Sequence, residues 1–370
     1  MAIGDYGKSA GDGKLVGIQG LRFCTALLVL VFHASLFAWS SPANPHGPWE
    51  PVNQYWLTLN VGNVGVLIFF VISGYVMCLT RHSSVNTFIT LRLARIYPGY
   101  LVALVLGTAM MVGGGTVRPE QISFDPSILL LPMGKSHASW SGVPYWTLNF
   151  EVYFYFITAL IMLMPRQFYG WLMVAWAATL LYVYPNFPEP PDGLFGAMVW
   201  QSPYGLYFIG GALLALAKQG RHGPLSVFLT LVGVVTILAQ RHQFLWQFLL
   251  LVTCLGITYS ASNIRNPIDR VSKHINSMGS WSYGIYLIHF PIIFLVGEMT
   301  SSLTEVQRFT IMITVSLTGG VLFGIAEDWL YRRIVRPRVT ALSKAKMLQT
   351  DQGLPALDMG GAKLAVPAGE

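Results

Sequence analysis

Residues 19–39 read QGLRFCTALLVLVFHASLFAW, an apolar run that carries one arginine, Arg22, near its start and one histidine, His33. A helix needs about 20 mostly apolar residues to cross the hydrocarbon core of a bilayer. The run therefore predicts a transmembrane helix that ends near Trp39. The residues before it are polar and glycine-rich, and no small-residue cleavage site follows, so we expect a retained span and not a signal peptide.

The composition of the whole chain indicates the same class of protein. Of 370 residues, 54% are hydrophobic and 11% are charged, whereas about 25% of an ordinary soluble domain is charged. Aromatic residues make up 13% of the chain, as expected when amphipathic rings lie at both membrane interfaces. An ordinary soluble domain is therefore excluded.

Similar apolar runs recur along the chain and predict an all-α membrane protein, a bundle of about ten transmembrane helices. The predicted spans are 19–39, 61–80, 96–112, 147–164, 170–184, 201–217, 224–239, 244–259, 281–298 and 309–331. Residues 1–340 are expected to form one membrane domain. Residues 341–370 are small and polar and are expected to form a disordered cytoplasmic tail.

The basic residues indicate the direction in which the chain is inserted. With a cytoplasmic N-terminus, 18 of the 23 Lys and Arg residues fall in cytoplasmic segments and Arg22 lies at the membrane edge. Only Arg118, Lys135, Arg241 and Arg308 fall outside. Because insertion favours Lys and Arg in cytoplasmic loops, we expect both termini to be cytoplasmic. The net charge of +7 then reflects topology, and no nucleic-acid partner is expected.

The three cysteines, Cys24, Cys78 and Cys254, all lie inside apolar stretches. Their number is odd and their spacing fits no known zinc motif. Neither a disulfide framework nor a metal site is predicted.

Ionisable side chains inside spans are costly and are candidates for function. His33, Glu151 and His289 are three such residues. Counted along each helix from its outer end, they lie ~9, ~7 and ~13 Å deep. The three groups are therefore predicted to meet in the outer half of the bilayer, where a carboxylate beside an imidazole would activate a hydroxyl. A purely structural hydrogen bond between helices is the alternative for His33.

Other polar residues share helix faces with these groups. Arg22 lies eleven residues before His33, which is three turns plus about 20°, so both project from one face ~16 Å apart. Ser282, Tyr286 and His289 follow at i, i+4 and i+7, a stripe typical either of a cavity lining or of polar contacts between helices.

Arg92 and Arg95 lie at i, i+3 on the cytoplasmic side of the third span. Two guanidinium groups at this spacing suit a phosphate or a pyrophosphate. Basic residues that flank a span also act as topology anchors, and the spacing alone leaves both interpretations open.

Five segments, in this order, resemble the acyltransferase family 3 membrane proteins. They are GLRFCTALLVLVFHA (20–34), FFVISGY (69–75), RLARIYP (92–98), WTLNFEVYFY (146–155) and SYGIYLIH (282–289). The resemblance implies O-acylation, usually O-acetylation, of a carbohydrate at the bacterial inner membrane. The implied donor is cytoplasmic acetyl-CoA, and the implied acceptor is a surface polysaccharide, lipopolysaccharide or lipo-oligosaccharide. The family histidine, matched by His33, serves as the base or as the acyl carrier.

These considerations assign three groups of residues. The predicted catalytic residues are His33, Glu151 and Arg22. The residues predicted to hold the CoA phosphates are Arg92, Arg95 and Tyr97. The residues predicted on the acceptor side or at the developing oxyanion are His289, Tyr286, Tyr283, Trp146 and Ser282.

Two alternatives stay open at this point. One is a proton-coupled transporter or exporter in which His33, Glu151 and His289 relay protons. The other is an acyltransferase that acts on a small glycosylated metabolite. A homo-oligomer and polysaccharide-assembly partners are both compatible with an acyltransferase.

Overall fold

The computed structural model describes residues 15–39, 61–81, 84–115, 117–121, 129–130, 145–186, 203–239, 242–264 and 269–341. Within these ranges the chain forms ten α-helices and no strand. The helices are α1 (Val16–Trp39), α2 (Val61–Thr80), α3 (Val85–Gly113), α4 (Trp146–Met162), α5 (Tyr169–Asn186), α6 (Tyr204–Ala217), α7 (Gly223–Ala239), α8 (His242–Asn263), α9 (Asp269–Met299) and α10 (Glu305–Leu330). A π-helical turn, Tyr331–Val335, continues α10.

Each predicted span falls on one of these helices, so the all-α bundle with ten helices is confirmed in the described part of the chain. The orientation of the termini stays a prediction, and the predicted tail lies outside the described residues apart from residue 341. Two helices begin earlier than predicted: α3 at Val85 and α9 at Asp269. Apolar residues mark where a helix crosses hydrocarbon, whereas these first turns are polar, and α3 is capped by Ser84, whose hydroxyl accepts from the Thr87 amide.

Six of the described helices are long and apolar enough to cross a membrane. They are α1, α2, α3, most of α8, α9, and α10 with its continuation to residue 341. Three further apolar helices, α4, α6 and α7, are shorter. A chain with this many apolar helices is a multi-pass membrane protein.

The centre of the bundle is formed by α1, α2, α6 and α9. In α2 and α9, 67% of the most apolar stretch is buried, compared with 28% in α8 and 22% in α10. α9 packs along α10 and α1, and α2 packs along α6 and α1. The outer helices expose large apolar side chains, for example Val105, Ile237 and Leu322 at 68%, 74% and 63%, and lipid is the environment that suits such surfaces.

The contact between α2 and α6 depends on two glycines. A Cβ atom at Gly74 would overlap the carbonyl oxygen of Phe208, and one at Gly211 would overlap the carbonyl oxygen of Val71. The two backbones therefore touch directly. Small residues allow such close approach, which stabilises helix pairs in membranes through packing.

A proline in α9 leaves a carbonyl group that forms a contact between α9, the start of α4 and α3. Pro291 has no N–H, so the carbonyl of Leu287 lacks its donor from within the helix. The hydroxyl of Tyr145, just before α4, lies 3.0 Å from that oxygen and donates to it. The same hydroxyl lies 3.3 Å from the carbonyl of Ala103 on α3. The polar group that proline leaves behind is thus satisfied inside the membrane domain.

We predict that Gly211→Ala lowers the midpoint of thermal unfolding in detergent, because the new methyl group meets backbone that cannot move aside. Gly256→Ala on α8 is the matched control: nothing lies within 4 Å of a Cβ there. It should be neutral or stabilise by up to about 1 kcal/mol, the helix-propensity difference between Gly and Ala. Equal midpoints for the two variants would contradict the backbone contact between α2 and α6.

Candidate active site

A cavity of about 310 Å³ lies between α1, α2, α3, α4, α9 and the end of α10. Most of its wall is apolar or aromatic. The charged side chains that line it are Arg22, Arg92, Arg95, Glu151 and Arg336. We call it the arginine cavity. Its lining carries four cations and one anion, so it attracts an anionic ligand.

Arg95 is held by three groups. Its Nη1 forms an ion pair with Glu327 on α10. The guanidinium carbon lies 5.1 Å from the ring centroid of Tyr283 and 4.9 Å from that of Tyr331 in the π-helical turn. Tyr283 is itself fixed, because its hydroxyl donates to the carbonyl of Ile96 at 2.8 Å. Arg95 therefore has a defined orientation at the cavity wall.

Arg22 has fewer constraints. Within the described ranges, no hydrogen bond or ion pair engages its guanidinium, although it interacts electrostatically with Arg92, Arg95 and Glu151. Its five N–H donors thus have no protein partner in the described part of the chain, and the side chain lines a cavity that already holds other cations. An anion in the cavity would satisfy them.

Glu151 does not lie where we predicted it. Its Oε1 accepts from the hydroxyls of Tyr155, at 2.6 Å, and Ser73, at 3.4 Å. It lines the arginine cavity, and across the described part of the chain no hydrogen bond joins it to His33. The prediction that Glu151 meets the two histidines is therefore corrected: its carboxylate lines the same cavity as Arg22.

The physical reason for this difference is the register between α4 and α9. Thr147 and Tyr286 touch through their hydroxyl groups, and this contact marks the level at which the two helices meet. Glu151 follows Thr147 by one turn toward the arginines, whereas His289 follows Tyr286 by one turn in the opposite direction. The depth of a residue counted along its own helix does not show how far that helix is shifted against its neighbour.

The two histidines do meet, in a second cavity of about 240 Å³ that we call the histidine cavity. Nδ1 of His33 lies 3.0 Å from Nε2 of His289. Phe32 and Phe290 pack edge-on against the His33 ring, with centroids 5.7 and 5.3 Å away. His289 is 2% exposed, and His33 is half-buried. An imidazole pair therefore lies in the wall of the cavity.

The arginine and histidine cavities adjoin. Val66 of α2 and Tyr286 of α9 line both of them. These two side chains lie between the cavities, so a ligand held by the arginines would have to pass them to reach the histidines. The arrangement can hold an anionic group on one side of the junction and offer a nitrogen base on the other.

The other predicted site residues divide between these places. Trp146 lines the histidine cavity, whereas Ser282 and Tyr283 line the arginine cavity. The Ser282 hydroxyl donates to the carbonyl of Gly279 at 2.7 Å. Tyr97 lines neither cavity, and its hydroxyl donates to the carbonyl of Leu129 at 2.5 Å.

Several lining or supporting residues were not predicted. Asn63 and Tyr204 line the histidine cavity, and Glu327 and Tyr331 hold Arg95. Two of them carried a signal, because Asn63 is an amide at the start of an apolar span and Glu327 is an acid inside the last one. The tyrosines carried none, since tyrosine is also common at membrane interfaces.

No group of three or more His, Cys, Asp and Glu side chains that could hold a metal ion occurs among the residues that the structure describes.

Comparison with known proteins gives consistent matches. The family model described as an acyltransferase domain matches residues 15–325. The chain is 24% identical to the acyltransferase MdmB of Streptomyces mycarofaciens, over 89% of this chain and 94% of that protein. It is 24% identical to an O-acetyl transferase of Shigella phage Sf6, over 73% and 82%. It is 26% identical to the exopolysaccharide production protein ExoZ of Rhizobium meliloti (strain 1021), over 76% and 93%. No solved structure matches the chain.

The pairing of Arg95 with Glu327 makes a prediction about stability. Removing one partner of a buried pair leaves a charge without compensation and is costly, whereas an apolar pair in the same place is often tolerated. We expect Glu327→Leu and Arg95→Met each to lower the thermal midpoint. The double variant should be more stable than the sum of the two losses implies, by about 1–3 kcal/mol. Strictly additive losses in this cycle would show that the two side chains are not coupled.

Proposed function

The chain belongs to the acyltransferase family, and we propose that it is a membrane O-acetyltransferase that moves an acetyl group from acetyl-CoA to a carbohydrate hydroxyl. The observation that carries the proposal is the junction between an arginine-lined cavity and a histidine pair. Two relatives support the substrates: one is named an O-acetyl transferase and another an exopolysaccharide production protein. We propose a surface polysaccharide, lipopolysaccharide or lipo-oligosaccharide as the acceptor.

The proposed donor site is the arginine cavity. Arg22, Arg92 and Arg95 would bind the CoA phosphates, because guanidinium groups bind phosphate oxygens through paired, charge-assisted hydrogen bonds. The cavity volume of about 310 Å³ is at the lower end of the range for ligand pockets. The adenosine part of the donor would therefore lie at the mouth, where Arg336 is exposed. The pantetheine arm would run inward past Val66 and Tyr286.

We propose that the arginine cavity opens to the cytoplasm at the bacterial inner membrane, with both termini on that side. The excess of Lys and Arg in the corresponding segments supports this orientation. The histidine cavity then faces the opposite half of the bilayer. A carbohydrate acceptor would approach it from outside while the donor occupies the other cavity.

The proposed chemistry takes place at His33. Its imidazole accepts the proton of the acceptor hydroxyl as the oxygen attacks the thioester carbonyl carbon. The carbon–sulfur bond then breaks, and the CoA sulfur takes that proton from His33 as it leaves. The oxygen–carbon bond that forms gives the acetyl ester, and His33 returns to its neutral state. We assign His33 as the base and not as an acyl carrier, because adjoining cavities allow donor and acceptor to be bound together.

Tyr286 and Glu151 have supporting roles in this scheme. Tyr286 lines both cavities and contacts Thr147 through its hydroxyl, so we assign it as the donor to the developing oxyanion. Glu151 offsets part of the charge of Arg22. Membership of an acyltransferase family favours this scheme over the transporter that the intramembrane charges also allowed.

We predict that His33→Gln abolishes acetyl transfer, with a loss of at least about 100-fold, the scale of general base catalysis. The measurement is mass spectrometry of surface glycans from cells that carry the wild type, the variant or no copy of the gene. Expression and monodispersity in detergent control for folding, and CoA binding should persist. Normal acetylation by a folded His33→Gln protein would reject the scheme. Glycans of unchanged mass on deletion of the gene would reject the acceptor class.

A second prediction concerns the donor site. Arg92→Gln should weaken CoA binding about 10- to 100-fold, since a hydrogen bond to a charged group contributes about 1.5–3 kcal/mol. Calorimetry with purified protein and CoA measures this directly. Arg332→Gln is the matched control, because Arg332 is exposed, pairs with Asp328 and lines neither cavity. Equal affinities in Arg92→Gln and Arg332→Gln would remove the arginine cavity as the donor site.

A further inference from the structure

The hydrogen bonds of the two imidazole rings determine where their protons lie. Nδ1 of His289 lies 2.7 Å from the carbonyl oxygen of Tyr286 and 3.1 Å from that of Ile285. A carbonyl oxygen only accepts, so this nitrogen carries a hydrogen. A neutral imidazole has one N–H. Nε2 of His289 is therefore a hydrogen-bond acceptor.

The proton of His33 follows from the proton of His289. Nε2 of His289 lies 3.0 Å from Nδ1 of His33, and a hydrogen bond between two nitrogens needs one hydrogen. Because Nε2 of His289 has none, the hydrogen is on Nδ1 of His33. The lone pair of His33 is then on Nε2. That atom has no hydrogen-bond partner among the described residues and is not enclosed by protein, and His33 lines the histidine cavity.

We infer that His289 is a positioning residue that holds His33 in the tautomer with its hydrogen on Nδ1, so that Nε2 is the atom that takes the acceptor proton. The inference rests on the proposed acyl transfer. When Nε2 of His33 is protonated, the Nδ1–H bond to His289 becomes charge-assisted and shorter. His289 thus does for His33 what the aspartate of a Ser-His-Asp triad does for its histidine.

The use of a neutral partner has a physical reason. An aspartate beside His33 would place a full charge inside the bilayer whenever His33 is neutral, and such charges are costly there. His289 carries no charge in its resting state, and its own donor is satisfied by backbone of the same helix. Glu151, the carboxylate that was expected beside His33, lies with the arginines, which compensate its charge.

The test compares three variants of purified protein. His289→Leu removes the acceptor for the His33 hydrogen. His289→Gln keeps an acceptor, because its amide oxygen can reach the position of Nε2. His274→Leu is the matched control: the same change on the same helix, at a histidine whose Nδ1 also bonds a carbonyl one turn back, that of Arg270 at 2.7 Å, but which is exposed.

We expect His289→Leu to lower kcat about 100-fold, on the scale of general base catalysis, with KM for acetyl-CoA unchanged within about twofold. His289→Gln should recover kcat to within about tenfold of the wild type, and His274→Leu should match the wild type. Equal kcat values for His289→Leu and His289→Gln would overturn the inference, because they would show that the hydrogen-bond acceptor at residue 289 does not matter for the reaction.

The tautomer itself is measured by nitrogen-15 NMR of histidine-labelled protein in lipid, with the His33 signals identified by their loss in His33→Gln. We expect the hydrogen on Nδ1 in the wild type and in His289→Gln, and a mixture of the Nδ1-H and Nε2-H tautomers in His289→Leu. A hydrogen on Nε2 of His33 in the wild type would overturn the inference. Since this measurement needs no substrate, the expected tautomer in a protein without transferase activity would reject the proposed function and leave the proton assignment intact.

Discussion

A polar group in the middle of a bilayer finds no water, so it has to bond to another part of the protein or face a cavity. The arrangement of α9 follows from this constraint. Its proline leaves the carbonyl of Leu287 without a donor, and the hydroxyl of Tyr145 supplies one. One turn before Leu287, Tyr283 packs against the guanidinium of Arg95 and donates to the backbone of α3. Each of these contacts attaches α9 to a neighbour, and Tyr283 and Tyr145 line the arginine and histidine cavities, respectively.

The same constraint separates the charges of the site from its base. The cations gather in one cavity with Glu151, while His33 is paired with another neutral ring across the junction marked by Val66 and Tyr286. A phosphate and a histidine base have different electrostatic needs, since one requires cations and the other a lone pair. Adjoining cavities allow both, and the proposed transfer needs a donor in one and an acceptor in the other.

Much of the fold and part of the site could be predicted. The ten apolar runs became ten helices, and Arg92 and Arg95, singled out by their spacing, line one cavity with Arg22. The starts of α3 and α9 were predicted too late, because hydropathy marks the membrane crossing and not the end of the helix. Tyr97 was grouped with the arginines by its place in a motif, but its side chain turns to Leu129.

The length of the apolar runs, the distribution of basic residues and the order of the motifs can all be read along the chain. By itself the sequence therefore determined that this is a multi-span helical protein, and which of its polar residues match the family motifs. Only the tertiary structure decided which of those residues meet. His33 and His289 are 256 residues apart in the chain, and Glu151 was expected beside them. Their meeting depends on how the helices pack against one another, and no periodicity along one helix records its height relative to another.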